Sequence, residues 1–257
     1  PERGPALSLE SLSRPSLTAA RRAVADALVA LGSGPQAAAT LKVGARIDLS
    51  VNEVLASAPC APASSLFTGV LFEAIEAVAP GAWQCPGATS VSVFSGLFGV
   101  LSPADLIPDH RLAMGVSLPG FGVLSTWWAP RLDEALREEA SGQVVIDARS
   151  GPYRAACKAP WARVWELRVV READGQRSVI SHDAKRWRGA VTGTLLASGG
   201  YAAGETAECE QALTDAAHAV TLQDARGAEH RVNDVEFGPE KKTKHGGTTR
   251  AVTMVTN

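Results

Sequence analysis

Arg163-Val164-Trp165-Glu166-Leu167-Arg168-Val169-Val170, followed after Gly175 by Ser178-Val179-Ile180-Ser181, is the stretch that decides the fold class. It reads as a hairpin turning around Asp174-Gly175, a residue pair suited to the positive φ angles of a tight turn. A helix from about Ala184 to Ala197 follows directly. Strand, strand, helix is not the alternation of a doubly wound sheet or a barrel. The rest of the chain agrees. Thr18 reads as the N-cap of a helix over 19–31 with Val24, Leu28 and Leu31 on one face, ended by Gly32, Gly34 and Pro35. Further helices are expected at 35–41, 67–78, 127–140, 152–157 and 205–217, with a connector at 57–65. Strands are expected at 90–95, 143–147, 218–223, 229–236 and 250–255. The expectation is α+β: a single mixed domain over 1–257, with a central irregular sheet flanked by helices.

Composition bounds the function. Of 257 residues 46% are apolar and 20% charged, which suits a packed globular chain rather than a disordered one. The net charge of −2 requires any nucleic-acid contact to come from a local basic patch. Cys60, Cys85, Cys157 and Cys209 form no Cys-x-x-Cys pair and have no histidine at a zinc-finger interval, so reduced core thiols in a cytoplasmic protein are expected. Neither an 18-residue apolar run nor a charged-then-apolar leader is present.

The long irregular stretch 99–122 carries Pro103, Pro108 and Pro119 and several glycines, a density that in a compact domain marks a functional or core-wrapping segment. It opens with Phe94-Ser95-Gly96-Leu97-Phe98-Gly99 and runs through Pro103-Ala104-Asp105 to Arg111-Leu112-Ala113-Met114-Gly115. Read from the residues alone, this is a tightly turned core segment in which Asp105 and Arg111 would pair across a proline turn.

The same segment resembles the central signature of the peroxide stress protein YaaA family. Four other pieces are similar in the family's order: Phe67-Thr68-Gly69-Val70; Trp127-Trp128; Arg149-Ser150 with Tyr153; and Ser181-His182-Asp183-Ala184-Lys185 with Arg188-Gly189. Together they cover about 66–196, and the helix at 19–31 is similar to the actinobacterial branch. The resemblance implies a mixed fold with a positively charged cleft, a helix-hairpin-helix-like element and DNA binding. It also implies protection against peroxide connected with lowering free iron, and no established reaction. It further implies a strand and a lysine-bearing turn that would precede residue 1. The tail Lys241-Lys242-Thr243-Lys244-His245 departs from the family and reads as a flexible basic loop within 238–248.

Several residues carry candidate chemistry. Leu118-Pro119-Gly120-Phe121-Gly122 has the form of a helix-hairpin-helix turn, in which Gly120 and Gly122 would let amides approach a phosphate; it is also an ordinary Pro-Gly turn. Lys185 and Arg188 share a helix face near a helix start, a placement that calls for an anion, while Arg186 points elsewhere. A solvated basic face with one buried arginine is the competing reading. Arg111 and Arg149 are candidates for the same cleft, as is Arg154. As an enzyme, the chain would offer His182, Lys185, Ser150 and Tyr153 toward a small anionic substrate such as a nucleotide or amino-acid derivative. Ser150 lacks a nucleophile-elbow pattern. His110 and His182 alone make no metal motif, so neither a metal nor a cofactor is expected. Cys157, near Arg154 and Lys158, is either a peroxide-sensitive thiol or a core thiol. The leading expectation is DNA, or another phosphate-bearing ligand, as partner.

Overall fold

The structure, a computed structural model, describes residues 1–44, 46–180, 183–199, 206–224 and 226–257. Its helices are α1 (Thr18–Leu31), α2 (Pro35–Leu41), α3 (Ala63–Leu66), α4 (Val70–Val78), α5 (Leu124–Ala140), α6 (Gly151–Ala156), α7 (Asp183–Ala197) and α8 (Thr206–Ala219). The strands begin with β1 (Cys60–Pro62), β2 (Val93–Ser95), β3 (Gly99–Leu101), β4 (Leu106–Pro108), β5 (Ser117–Leu118) and β6 (Gly122–Val123). They continue with β7 (Val144–Asp147), β8 (Arg163–Ala173), β9 (Gln176–Val179), β10 (Thr221–Gln223), β11 (Glu229–Phe237), β12 (Lys241–Lys242) and β13 (Thr248–Thr256). The fold is α+β, as the hairpin-then-helix pattern requires. The chain divides into two compact units, each assembled from separate stretches of sequence.

Unit one comprises Pro1–Phe67, Val91–Glu139 and Arg149–Lys158. It holds three antiparallel ladders, β1 with β4, β2 with β3 and β5 with β6. Its core takes Val24 and Leu28 from α1, Leu97, Phe98 and Val100 from the hairpin, and Trp128 and Leu132 from α5, all fully buried. Positions 21, 24 and 28 fall on one helical face by their spacing of three and four. Arg21 therefore enters the core with Val24 and Leu28, at 0% exposure. Thr18 is not an N-cap. A 3-10 turn over Pro15–Leu17 runs straight into α1, so Thr18 is already helical and its hydroxyl donates to the Leu9 carbonyl at 3.4 Å.

Unit two comprises Thr68–Ser90, Ala140–Ala148 and Ala159–Asn257. Its mixed sheet runs β10-β11-β13-β8-β7, with β9 on β8 and β12 on β13. β8 lies between two parallel neighbours, Leu167 opposite Val252 of β13 and Trp165 opposite Ile146 of β7. The β8–β9 turn carries Asp174 at φ 51° and Gly175 at φ 73°, the doubly positive conformation that such hairpins favour. Trp165, Leu167 and Val169 alternate onto one face and pack with Ala190, Val191 and Leu195 of α7 and Leu213 and Ala217 of α8. Fully burying a side chain of that size contributes about 1.5–3 kcal/mol. On its other side α7 meets α4 through Gly193, where an added Cβ would lie 2.8 Å from the Ile75 carbonyl oxygen. The tail read as a basic loop takes the form of a hairpin, with Lys241 and Lys242 of β12 opposite Thr249 and Thr248.

Among the described residues no helix is long and apolar enough to cross a membrane.

Candidate functional site

The conspicuous motif of the sequence is a buried scaffold. Ser95 and Gly99 close the β2–β3 hairpin, and the Ser95 hydroxyl accepts from the Leu97 and Phe98 amides at 3.2 and 3.3 Å. Gly99 stands at φ 72° beneath Trp128, whose ring would lie 2.8 Å from an added Cβ; Trp128 Nε1 donates to the Gly96 carbonyl at 2.9 Å. Arg21 donates to the carbonyls of Phe98 (3.1 Å), Val100 (2.7 Å) and Ser13 (2.8 Å). Burial lowers its pKa to about 10, so it remains charged at neutral pH.

His110 packs edge-on against Phe67 and Phe98, with Nδ1 3.0 Å from the Pro108 carbonyl and Nε2 3.4 Å from Ser95 Oγ. A carbonyl only accepts, which assigns the proton to Nδ1 and leaves Nε2 as acceptor. Burial holds the imidazole pKa below its usual value. Asp105 and Arg111 do not pair. The Asp105 carboxylate collects the Ser13 amide (2.9 Å), the Ser13 hydroxyl (2.5 Å) and the Ser102 amide (2.9 Å). Arg111 bonds Asp109, and its backbone exchanges two hydrogen bonds with the buried Asn52 side chain.

The turn at 118–122 is a β-hairpin rather than a helix-hairpin-helix: residues 117–118 form β5 where a first helix would stand. Its tip is nevertheless open. Gly120 (φ 80°) and Gly122 (φ 67°) have nothing within 4 Å of an added Cβ, and Pro119, Gly120, Gly122 and Val123 are exposed. The tip feeds directly into the 17-residue helix α5. Phe121 of the tip packs edge-on against Trp127 at 5.0 Å, and the Arg131 guanidinium sits 3.7 Å over the other ring of that pair, Trp127. A groove of about 390 Å3 between α1 and α5 is lined by Trp127, Arg131, Glu134 and the small residues Ala20 and Ala23.

Arg149, Ser150 and Tyr153 lie together where α6 begins. Arg149 stacks 4.1 Å from the Phe94 ring and donates to the Tyr153 and Cys157 carbonyls at 3.2 and 2.7 Å. Ser150 is the extended residue before α6. Burial pushes the Tyr153 phenol up, so it stays protonated at neutral pH.

Lys185 and Arg188 belong to unit two, on α7. Lys185 is exposed, whereas Arg188 is 8% exposed and donates Nε to the Ala184 carbonyl at 3.0 Å. His182, the remaining candidate, lies outside the described residues. Among the described residues no cluster of three or more His, Cys, Asp and Glu side chains is arranged to hold a metal ion.

The family described as peroxide stress protein YaaA matches residues 3–205. The chain belongs to this family. It is 39% identical to a UPF0246 protein of Streptomyces coelicolor over 86% of this chain and 87% of the relative. UPF0246 proteins of Corynebacterium efficiens (34%; 80% and 84% covered) and Corynebacterium glutamicum (33%; 76% and 79% covered) are also similar.

A further surface of this chain escaped sequence reasoning. In unit two, Arg186 of α7, Arg171 of β8 and Arg226 before β11 line one cleft of about 580 Å3. These arginines stand 15 and 40 residues apart in sequence and match no motif. Arg186 was the one cation of the Lys185–Arg188 run that helical spacing set aside. Arg226 falls beyond the family-matched residues 3–205.

Proposed function

We propose that this YaaA-family protein serves the peroxide stress response in the cytoplasm by binding nucleic acid through phosphate contacts. The observation that carries the reading is the open tip of the β5–β6 hairpin. Two glycines at positive φ, with nothing within 4 Å of an added Cβ, leave the backbone open to close approach immediately before a long helix. A backbone open to close approach beside a helix start suits a phosphate oxygen. The Phe121–Trp127–Arg131 stack behind the tip adds a cation and aromatic surface within the same unit. A contact of this kind is compatible with a net charge of −2, since it needs only a local anion-attracting surface.

The reading is tested by fluorescence anisotropy with a labelled DNA duplex, comparing the wild-type chain with Gly120→Val/Gly122→Val and Arg131→Ala variants. Binding at low salt that both variants weaken supports the hairpin as the contact. Equal affinity in folded wild-type and variant proteins removes it.

A further inference from the structure

We propose that the arginine cleft of unit two is a separate binding site for a small phosphate-bearing ligand of nucleotide size. It rests on none of the hairpin observations.

The charge arrangement comes first. Arg163, Arg168, Arg177, Arg231 and Arg250 of this unit each pair with a carboxylate. Arg171, Arg186 and Arg226 have no carboxylate partner among the described residues, and all three line the same cleft. Arg186 is held in place by donating Nη1 to the Gln223 carbonyl at 2.5 Å. Arg171 Nε is buried with no hydrogen-bond partner among the described residues. Three guanidinium forks match the geometry and charge of phosphate oxygens.

Two carboxylates, Asp183 and Asp224, stand in the same lining. Asp224 Oδ1 accepts from the Arg226 and Ala228 amides at 2.8 and 2.9 Å, and Oδ2 lies 3.4 Å from His230 Nε2. Those amide hydrogen bonds, Ala228's foremost, hold the Asp224 carboxyl below the usual range and occupy it with the turn. Asp183, the first residue of α7, is left to accept a hydroxyl or amine of the ligand.

The lining is completed by the polar Gln223 and His230 and the apolar Val70, Leu222 and Trp187. A volume of about 580 Å3 lies within the range of about 300–1,000 Å3 typical of small-molecule sites. Cations with no carboxylate partner among the described residues and an acceptor in one cleft describe a nucleotide: phosphates on the arginines, and a sugar hydroxyl or base amine on Asp183.

The experiment is calorimetric titration of the full chain with adenosine diphosphate, inorganic pyrophosphate and a short oligonucleotide. Arg171→Gln and Arg226→Gln are compared with Lys242→Gln, an exposed cation outside the cleft. The expected result is that adenosine diphosphate and pyrophosphate bind wild type and Lys242→Gln alike, and bind about tenfold or more weakly to either arginine variant. No binding to folded wild type, or equal losses in all three variants, overturns the proposal. Displacement of adenosine diphosphate by the oligonucleotide at much lower concentration also overturns it, since the cleft then belongs to a strand; the nucleic-acid reading survives that outcome. Loss of DNA affinity in the hairpin variants with nucleotide binding intact separates the two sites.

Discussion

Arg21 Nε donates to the Phe98 carbonyl at 3.1 Å from a side chain with no solvent exposure. One cation in the core thus holds the turn of the family's central signature, taking the Val100 and Ser13 carbonyls as well. An Arg21→Met substitution keeps much of the volume but leaves those carbonyls without their donor. It is expected to destabilise the fold by on the order of 3 kcal/mol, read as a lowered urea midpoint at unchanged slope. A midpoint matching wild type would show that the signature turn stands without Arg21.

The glycines of the chain are not equivalent. Gly99 combines φ 72° with a Trp128 ring 2.8 Å from an added Cβ, whereas Gly120 has φ 80° and open space. Gly99→Ala is therefore expected to cost about 3 kcal/mol, because the buried indole must move, and Gly120→Ala only about 1 kcal/mol of backbone strain. Thermal unfolding of the two variants side by side checks the order; the reverse order would contradict the packing at Trp128.

His110 ties stability to pH. Its folded pKa is depressed by burial, so the unfolded chain takes up the proton first as pH falls. Its contribution is complete above the ordinary histidine value of 6.5 and is lost as pH falls from there through the folded value. Urea midpoints at pH 7.5 and pH 5 are expected to fall less in His110→Gln than in wild type, because the variant has no imidazole to charge. Identical slopes would assign the acid sensitivity elsewhere.

Thiol chemistry follows burial. Cys60, Cys157 and Cys209 are buried and Cys85 is half-buried; burial also pushes the Cys60 thiol up, away from the reactive thiolate. Under native conditions an alkylating reagent, or dilute peroxide, is expected to modify Cys85 before the other three, as resolved by peptide mass. Early modification of Cys157, which is 3% exposed, would restore the reading of a peroxide-sensitive thiol beside Arg154 and Lys158.

Much of the fold was legible because local signals and tertiary packing agree there. Asp174-Gly175 is a turn by backbone chemistry alone, and Val24 and Leu28 declare a helix face by spacing. Thr18 misled because a capping residue signals a helix start only where the preceding backbone is extended, and here Pro15–Leu17 already turns. Asp105 and Arg111 misled because separation in sequence says nothing about competing partners; Ser13, some ninety residues away, takes the carboxylate. The proposed site was harder still. Lys185 and Arg188 advertise themselves on one helix, yet one is exposed and the other buried, and the cleft is lined by Arg186 with Arg171 and Arg226. Convergence of residues from three elements is a property of the sheet and α7, and no short motif encodes it.

The central claim is nucleic-acid binding through phosphates, and it is tested most directly by DNA affinity across a salt series with the full chain. The account predicts that log K falls linearly with log salt, with a slope reporting several displaced counterions and little dependence on base sequence. A folded protein that shows no affinity at low salt, or an affinity that salt leaves unchanged, would contradict it.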